Sequence, residues 1–227
     1  MSWRHTPAWI SLGGSMLAFN AGYVNATGFL EVHEHGLTHL TGQVTRAGIE
    51  LADGGFADAG RALGLVIWFF LGAIISGLII RRSELAERGA PYGVAMLVES
   101  ALLAGGATLL TRGTSWGTSL AAMAAGLQNA LASSYSGAVV RTTHMTGIVT
   151  DLGVHFGHAI RGEPIEWARV RLLGLLFGSF LVGGIVGAVM FPILRTYALF
   201  PPAILVFSGA LYFFWRLSRP AQSKSDS

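Results

Sequence analysis

The chain has 227 residues, of which 52% are apolar and only 12% are charged, and its mean hydropathy is +0.56. About 25% of the residues are charged in a typical soluble domain, so this composition excludes an ordinary soluble protein and predicts an integral membrane protein. The net charge of +3 is spread over the predicted loops and does not indicate a nucleic-acid-binding surface. Cysteine is absent, which excludes disulfides, thiolate metal ligands and a cysteine nucleophile.

Six long apolar stretches follow one another along the chain. About 20 apolar residues are enough to cross a bilayer. Five of the stretches contain no charged residue, and the third is interrupted only by Glu99. They are Thr6–Leu30, Ala62–Ile80, Gly89–Thr111, Gly113–Val140, Leu172–Leu194 and Thr196–Trp215. The sequence therefore predicts an all-α integral membrane protein with six transmembrane helices.

Basic residues are distributed unevenly over the predicted loops. If the N-terminus is cytoplasmic, 11 of the 15 Lys and Arg residues lie inside. The four that lie outside are Arg46, Arg61, Arg112 and Arg195. This positive-inside bias predicts a multi-pass protein of the cell (inner) membrane with both termini in the cytoplasm. Residues 220–227 are polar and are predicted to form a disordered cytoplasmic tail.

A polar segment occurs twice, once after the first apolar stretch and once after the fourth. "THLTGQVTRAG" begins at Thr38 and "THMTGIVTDLG" begins at Thr143, with seven identical residues in 11 positions. Upstream of them, "AGYVNA" matches "AGLQNA" at an offset of 104 residues. Residues 1–112 and 113–219 are therefore predicted to be two three-helix repeats. Because three is odd, the second repeat enters the membrane from the opposite side, as in many transporters.

The two Thr-Gly motifs, together with the Gln-Asn pair at residues 128 and 129, resemble the YoaK-like bacterial membrane proteins, a family that carries a domain of unknown function. The resemblance covers nearly the whole chain. It implies six transmembrane helices and supplies no substrate. It also implies an acidic residue where this chain has Asn25, and an asparagine where it has Gln43.

Each copy of the motif predicts a short helix whose N-cap is the first threonine, Thr38 or Thr143. About fifteen residues are too few to span a bilayer. These helices are therefore predicted to be broken or re-entrant, and an amphipathic helix on the membrane surface is the alternative.

The repeated polar residues predict a central site between the two halves. Paired helix N-termini favour a small anion or a carboxylate, and the glycine of each motif lets the backbone approach a ligand closely. Interhelical hydrogen bonding is the alternative role for the amides. Asn20 is given less weight, since its repeat counterpart is Ala124. The predicted substrate-binding residues are Asn25, Thr38, His39, Thr41, Gly42, Gln128, Asn129, Thr143, His144, Thr146 and Gly147.

Glu99 is the only acidic residue inside a predicted span. A charge at membrane depth is costly and indicates a function. Glu99 is therefore predicted to couple transport to protons, and a structural hydrogen bond or an ion pair with Arg46 or Arg141 is the alternative. Arg46 and Asp151 are repeat counterparts of opposite charge, which predicts that they meet in an ion pair.

These patterns predict a membrane transporter or channel for a small solute rather than an enzyme. The alternatives are a non-transporting membrane assembly protein and, with less support, a membrane-embedded hydrolase that uses His39, His144 and Asp151. The predicted partners are the lipid bilayer and a small-molecule or ion substrate, without nucleic acid, and a homodimer is left open.

No cofactor and no metal site is predicted from the sequence. Glu31, His33 and His35 share one short loop, and His155 and His158 lie one helical turn apart. Neither group has the spacing of a recognised metal-binding motif.

Overall fold

The computed structural model describes residues 8–31, 39–80, 89–135 and 142–219. Within these ranges every regular element is helical, which confirms the all-α prediction. A 3-10 turn (Arg195–Tyr197) joins the last two α-helices. The eight α-helices are α1 (Ala8–Glu31), α2 (Leu40–Ala52), α3 (Phe56–Ile79), α4 (Ala90–Thr111), α5 (Trp116–Tyr135), α6 (Met145–Ile160), α7 (Trp167–Leu194) and α8 (Phe200–Ser218).

Four helices in the described part of the chain are long and apolar enough to cross a membrane, namely α3, α4, α7 and α8. Large apolar side chains stay exposed on their surfaces, for example those of Phe70, Val189 and Ile204, as expected of helices that face lipid. α1 and α5 are also long, at 24 and 20 residues, but they carry amide side chains that lower their hydropathy. The apolar helices indicate a multi-pass membrane protein.

The helices of the two halves pack in a reciprocal pattern. α1 packs mainly against α7, and α5 packs mainly against α3. In the α1–α7 pair, a Cβ atom on Gly22 would overlap the carbonyl oxygen of Phe180, and a Cβ atom on Gly183 would overlap that of Phe19. Only glycine fits at these two positions, because the atom in the way belongs to the facing backbone.

The α3–α5 pair repeats the same contact. A Cβ atom on Gly126 would overlap the carbonyl oxygen of Phe69, and a Cβ atom on Gly72 would overlap that of Met123. Gly126 lies 104 residues after Gly22, which is the offset at which "AGYVNA" matches "AGLQNA". The two helix crossings are therefore built from equivalent residues.

α1 and α5 run in opposite directions through the bundle. At one end, which we call the near end, α1 and α4 begin and α5 and α8 finish. The near end is defined by Leu12, Tyr92, Leu131 and Leu217, which line one cavity. At the far end, α5 and α8 begin and α1 and α4 finish. The far end is defined by Thr27, Leu110, Thr118 and Leu199, which line a second space.

The short helices α2 and α6 bury different residues against the rest of the protein. α2 packs against α3 and buries Gln43 and Ala47. Val44 and Leu51, on its apolar face, are 54% and 48% exposed. In α6, Ile148 at the position equivalent to Gln43 is the buried residue. The exposed apolar faces are suited to contact with lipid.

Candidate functional site

Four polar side chains are buried together where α1, α4 and α5 meet. Each is at most 3% exposed. They are Asn20 of α1, Glu99 of α4, Gln128 of α5 and Thr142, which precedes α6. We call this group the central polar cluster. Because buried polar groups are costly unless they are hydrogen-bonded, the arrangement of their hydrogen bonds determines the geometry of the site.

Amide groups hold the central polar cluster together. The Nδ2 atom of Asn20 donates to Oε1 of Glu99 at 3.2 Å and to Oε1 of Gln128 at 2.9 Å. The Nε2 atom of Gln128 donates to the carbonyl oxygen of Leu17 at 2.6 Å and lies 3.4 Å from Oγ1 of Thr142. The cluster thus joins three long helices to the segment that leads into α6.

The carboxyl group of Glu99 is incompletely satisfied. Asn20 supplies a donor to Oε1, whereas Oε2 has no hydrogen-bond partner among the described residues. Arg46, one predicted ion-pair partner, pairs with Glu50 at 3.5 Å instead. The other, Arg141, lies outside the described residues. A buried carboxylate with a single donor is costly at membrane depth, so this group is a candidate for proton exchange.

A narrow gap beside the central polar cluster lies between equivalent residues of α1 and α5. Three positions of α1 that line the gap have their repeat counterparts, 104 positions later, among the lining residues of α5. They are Asn20, Ala21 and Val24 in α1 and Ala124, Ala125 and Gln128 in α5. Glu99, Leu103 and Thr143 complete the lining, and the gap has no room for a water molecule. We call it the central gap.

The second Thr-His-x-Thr-Gly motif reaches into the bundle beside the central gap. Oγ1 of Thr143 donates to Oδ1 of Asn129 at 3.1 Å, and Thr142 lies beside Gln128. These two α5 residues precede the end of that helix at Tyr135 by six and seven positions, or about 10 Å along the axis. The chain therefore returns toward the middle of the bundle before α6 begins.

The predicted threonine N-caps differ from the observed helix starts. His39 is the N-cap of α2 and His144 that of α6, with nearly the same φ and ψ angles (−90°, 67° and −90°, 62°). Neither histidine forms a side-chain capping hydrogen bond. The N-cap prediction for Thr143 is wrong, because its hydroxyl bonds to Asn129 of the preceding helix. Thr38 lies outside the described residues.

The glycine of each motif makes room for the histidine ring. A Cβ atom on Gly42 would overlap the ring of His39, and a Cβ atom on Gly147 would overlap the ring of His144. In both copies the imidazole therefore lies against the first turn of the helix that it caps. This contact explains the spacing of histidine and glycine without invoking a ligand.

The other predicted site residues do not line the central gap. His39, Thr41, His144 and Thr146 are exposed, and Asn25 is partly buried. No described residue of the first motif contributes to the lining, whereas Thr143 of the second motif does. Of the predicted residues, the structure brings together Glu99, Gln128, Asn129 and Thr143.

Two members of the central polar cluster were underestimated from the sequence. The repeat counterpart of Asn20 is the apolar Ala124, and no pattern in the sequence singles out Thr142. A usable signal was present for Asn20, because an amide in the middle of an uncharged span needs a partner whether or not the repeat preserves it. Thr142 gives no such signal, since its burial depends on how the chain returns after α5.

Arg46 and Asp151 each have an ion-pair partner close to them in the chain. Asp151 pairs with Arg169 at 2.9 Å, and Arg46 pairs with Glu50. The predicted ion pair between Arg46 and Asp151 is therefore wrong, because each residue has a nearer partner in its own half. The Asp151 carboxylate of the hypothetical hydrolase is likewise engaged by Arg169.

His155 and His158 of α6 do not form a recognisable metal site in the part of the chain that the structure describes. Nδ1 of His158 lies 3.7 Å from Oε2 of Glu163. No group of three or more His, Asp or Glu residues there is arranged to hold a metal ion. His33 and His35 lie outside the described ranges.

A cavity of about 540 Å³ lies at the near end of the bundle. One residue from each of α1, α4 and α5 lines its inner part: Leu17, Met96 and Leu131. Each of them is three residues away from a member of the central polar cluster on the same helix, or about 4.5 Å along the helix axis. One layer of apolar side chains thus separates this near-end cavity from the cluster.

The far end of the bundle is closed by comparison. The space among the ends of α1 and α4 and the starts of α5 and α8 has a volume of about 10 Å³, the lower limit for one water molecule. Thr27 lines this far-end space, and its repeat counterpart Leu131 lines the near-end cavity. Equivalent parts of the two halves therefore enclose very different volumes.

These features define an apolar, helical, membrane-type protein with a buried polar cluster at its centre. A family model described as "Protein of unknown function (DUF1275)" matches residues 13–212. Because the match covers most of the chain, the protein belongs to this family. No curated protein and no solved structure shows significant similarity to the chain.

Proposed function

We propose that this protein is a secondary transporter of the cell inner membrane for a small solute, related to the YoaK-like proteins. In this proposal α1, α3 and α4 are the three spans of one repeat, and α5, α7 and α8 are those of the inverted second repeat. α2 and α6 are broken helices, and both termini are cytoplasmic. The near end then faces the cytoplasm.

The reciprocal helix crossings support the inverted repeat. An axis that exchanges the two halves would exchange α1 with α5 and α3 with α7. It would therefore convert the α1–α7 contact into the α5–α3 contact, and the glycines at both crossings are equivalent in this way. The opposite directions of α1 and α5 agree with the same symmetry.

A single observation carries the transport proposal: the central polar cluster lies between an open cavity at the near end and a closed space at the far end. The symmetry would exchange these two ends. Transporters built from inverted repeats hold the solute near the midplane and open alternately to the two sides. The near-end-open arrangement is then one of two related conformations.

We assign the solute contacts to the residues that line the central gap. Asn20, Gln128 and Thr143 are the polar contacts in this assignment, and Glu99 carries the coupled proton. The exposed residues of the two motifs lie at the starts of α2 and α6, and we assign neither them nor Asn25 to the solute. We propose no enzymatic activity and no cofactor.

A non-transporting assembly protein remains the second candidate. It is favoured by the central gap, which is too small for a water molecule, since a purely structural cluster needs no solvent access. The volume of the near-end cavity favours transport instead, because a packed structural core leaves few voids larger than a water molecule.

Cysteine accessibility tests the two candidates, and the natural chain provides a cysteine-free background. We would label Leu131→Cys and Thr27→Cys, which are repeat counterparts, in sealed vesicles with a membrane-impermeant maleimide. At rest, residue 131 should react from the cytoplasmic side and residue 27 should be protected. For a transporter, an imposed proton gradient should shift reactivity from residue 131 to residue 27, and Glu99→Gln should abolish the shift.

A fixed pattern in the wild-type background would instead support the assembly protein. Arg219→Cys, beyond the end of α8, serves as the topology control and should react only from the cytoplasmic side. Labelling of residue 219 from outside would overturn the proposed orientation. Labelling at residue 219 thus tests the proposed membrane orientation, whereas labelling at residues 131 and 27 tests the proposed transport mechanism.

A further inference from the structure

The near-end cavity has a chemistry of its own that the central polar cluster does not explain. Most of its lining is apolar, and none of its described lining residues is acidic. The apolar side chains include those of Leu12, Met16, Leu17, Met96, Leu131 and Phe213. The polar groups come from Tyr92, Tyr212 and Arg216. The lining therefore suits a ligand that is mostly apolar and carries no positive charge.

Arg216 supplies the one positive charge among the described lining residues. It lies in the last turn of α8, is exposed, and forms no salt bridge with any described acidic residue. The neighbouring Arg219 is used differently, because its guanidinium lies 3.7 Å from the centre of the Trp215 ring. A guanidinium at the border of an apolar cavity is a good partner for a carboxylate, which it can bind with two parallel hydrogen bonds.

Methionines give the cavity an adaptable wall. The methyl groups of Met16 and Met96 both lie 2.7 Å from the place where a Cβ atom on Gly209 would stand. Glycine thus leaves space for two flexible thioether side chains that reach across from α1 and α4. Methionine surfaces rearrange around apolar ligands of different shape.

We infer that the near-end cavity binds an amphipathic carboxylate, with its apolar chain between the methionines and its carboxylate on Arg216. The volume of about 540 Å³ lies within the range of about 300–1,000 Å³ found for small-molecule sites. Residues of four helices line the cavity, and at this volume we assign it a free single-chain acid rather than a two-chain membrane phospholipid. That the bound acid is also the transported solute rests on the proposed function, whereas binding itself does not.

The experiment measures the binding of radiolabelled decanoate to the full-length protein in phosphatidylcholine nanodiscs, with empty nanodiscs as the background. Decanol has the same chain without the charge and is titrated as a competitor. In Arg216→Gln, the decanoate affinity should fall by about tenfold or more, the effect expected when one charge-assisted hydrogen bond is lost. Competition by decanol should reach the same strength as in the wild type.

Arg219→Gln is the matched control, because Arg219 is also a basic residue at the end of α8 and also favours the helix dipole. It should bind decanoate with wild-type affinity. Gly209→Leu should fill the cavity and weaken both decanoate and decanol, and an unchanged melting temperature would show that this variant is folded. An equal loss of decanoate affinity in both arginine variants would overturn the inference.

Two further results would also overturn it. One is the absence of saturable decanoate binding to the wild-type protein. The other is complete competition by phosphatidylglycerol added to the nanodiscs, which would make the cavity a site for membrane lipid. Binding as expected combined with fixed accessibility at residues 131 and 27 would leave this inference intact and contradict only the transport proposal.

Discussion

The side-chain amide of Asn20 in α1 donates a hydrogen bond to the carboxyl group of Glu99 in α4, and the two residues are 79 positions apart in the chain. The repeat does not preserve this pair, since Ala124 and Phe207 are the counterparts. The protein therefore combines two helix crossings that use equivalent glycine positions with a polar centre that has no counterpart in the repeat. A coupling site that must treat a proton and a solute differently needs such asymmetry, whereas helix packing does not.

Replacing Glu99 by Gln should preserve stability, whereas Glu99→Leu should not. A glutamine oxygen can still accept from Nδ2 of Asn20, and its nitrogen can donate to Oδ1 of Asn20, which has no partner among the described residues. Leucine removes one of the two acceptors of Nδ2, so that only the hydrogen bond to Oε1 of Gln128 is left, at a cost of about 1 kcal/mol. Thermal unfolding in detergent measures both variants. Equal destabilisation by Gln and Leu would contradict this hydrogen-bond arrangement.

The contact between His144 and Gly147 predicts an energetic coupling. Alanine is about 1 kcal/mol better than glycine inside a helix, but in Gly147→Ala the new methyl group must displace the imidazole. We therefore expect no gain in stability in the wild-type background and a gain of up to about 1 kcal/mol in the His144→Ala background. A double-mutant cycle of melting temperatures measures the difference.

Gly153→Ala is the control for this cycle, because no atom lies within 4 Å of a Cβ atom at that position of α6. It should stabilise the protein to the same extent with and without His144. If Gly147→Ala gives the same gain in both backgrounds, the histidine ring does not lie against the glycine.

The glycines at the two helix crossings should be intolerant of alanine. In Gly22→Ala and Gly126→Ala the added methyl group overlaps a carbonyl oxygen of the facing helix, which can move only if the whole helix shifts. Overpacking of this kind costs typically about 1–3 kcal/mol. Both variants should lower the melting temperature by similar amounts, since the two crossings are equivalent.

Glycines of the same helix pairs that have free space around them provide the control substitutions. Gly64 of α3 and Gly174 of α7 have nothing within 4 Å of a Cβ atom, so alanine there should be neutral or stabilising. A large loss at Gly22 with none at Gly126 would contradict the equivalence of the crossings. Losses at Gly64 and Gly174 as large as those at the crossings would contradict the packing itself.

Composition was enough to predict the helical membrane class, because long apolar stretches with few charges have no other stable arrangement than membrane-spanning helices. The number of spans is harder to obtain. α1 and α5 are long enough to cross a membrane but carry the amides of the central polar cluster, so hydropathy alone identifies four spans among the described helices. The polar residues that form the cluster also lower the hydropathy of the helices that carry them, and hydropathy therefore fails to identify these helices as spans.

The central polar cluster was only partly predictable from the sequence. Glu99 and Gln128 are conspicuous because they are polar in apolar surroundings. Their common partner Asn20 has no polar counterpart in the repeat, so the duplication does not point to it. The predicted cap at Thr143 failed for a different reason. Capping rules consider only the local backbone, and here Asn129 on the preceding helix accepts the hydrogen bond.

The ion pair between Arg169 and Asp151 should contribute modestly to stability, and only these two residues should rescue each other's charge reversal. Both side chains are partly exposed, at 27% and 45%, and exposed pairs contribute about 0–1 kcal/mol. Reversing either charge should lower the melting temperature slightly, and the double reversal Arg169→Asp with Asp151→Arg should restore it. Combining Asp151→Arg with Arg46→Asp should give no such rescue. Rescue by Arg46 instead would indicate a contact across the two halves.

Valine substitutions distinguish the inner threonine of the second motif from the outer one. Thr143→Val keeps the shape of the side chain and removes the hydroxyl that donates to Asn129 beside the central gap. We expect a loss of stability of about 1 kcal/mol and, for the transporter, a slower shift in accessibility from residue 131 to residue 27. Thr146→Val should change neither quantity, because Thr146 is exposed and does not line the gap.

The same comparison decides what the repeated motif is for. Thr41, the counterpart of Thr146 in the first copy, is also exposed. Thr41→Val should therefore change neither stability nor the accessibility shift, like Thr146→Val. The histidine and glycine would then start each short helix in the same way, while the residues just before His144 alone reach the centre. If Thr41→Val and Thr146→Val slowed the accessibility shift as much as Thr143→Val, the two motifs would act together on the solute, and our assignment of the site to Asn20, Gln128 and Thr143 would be wrong.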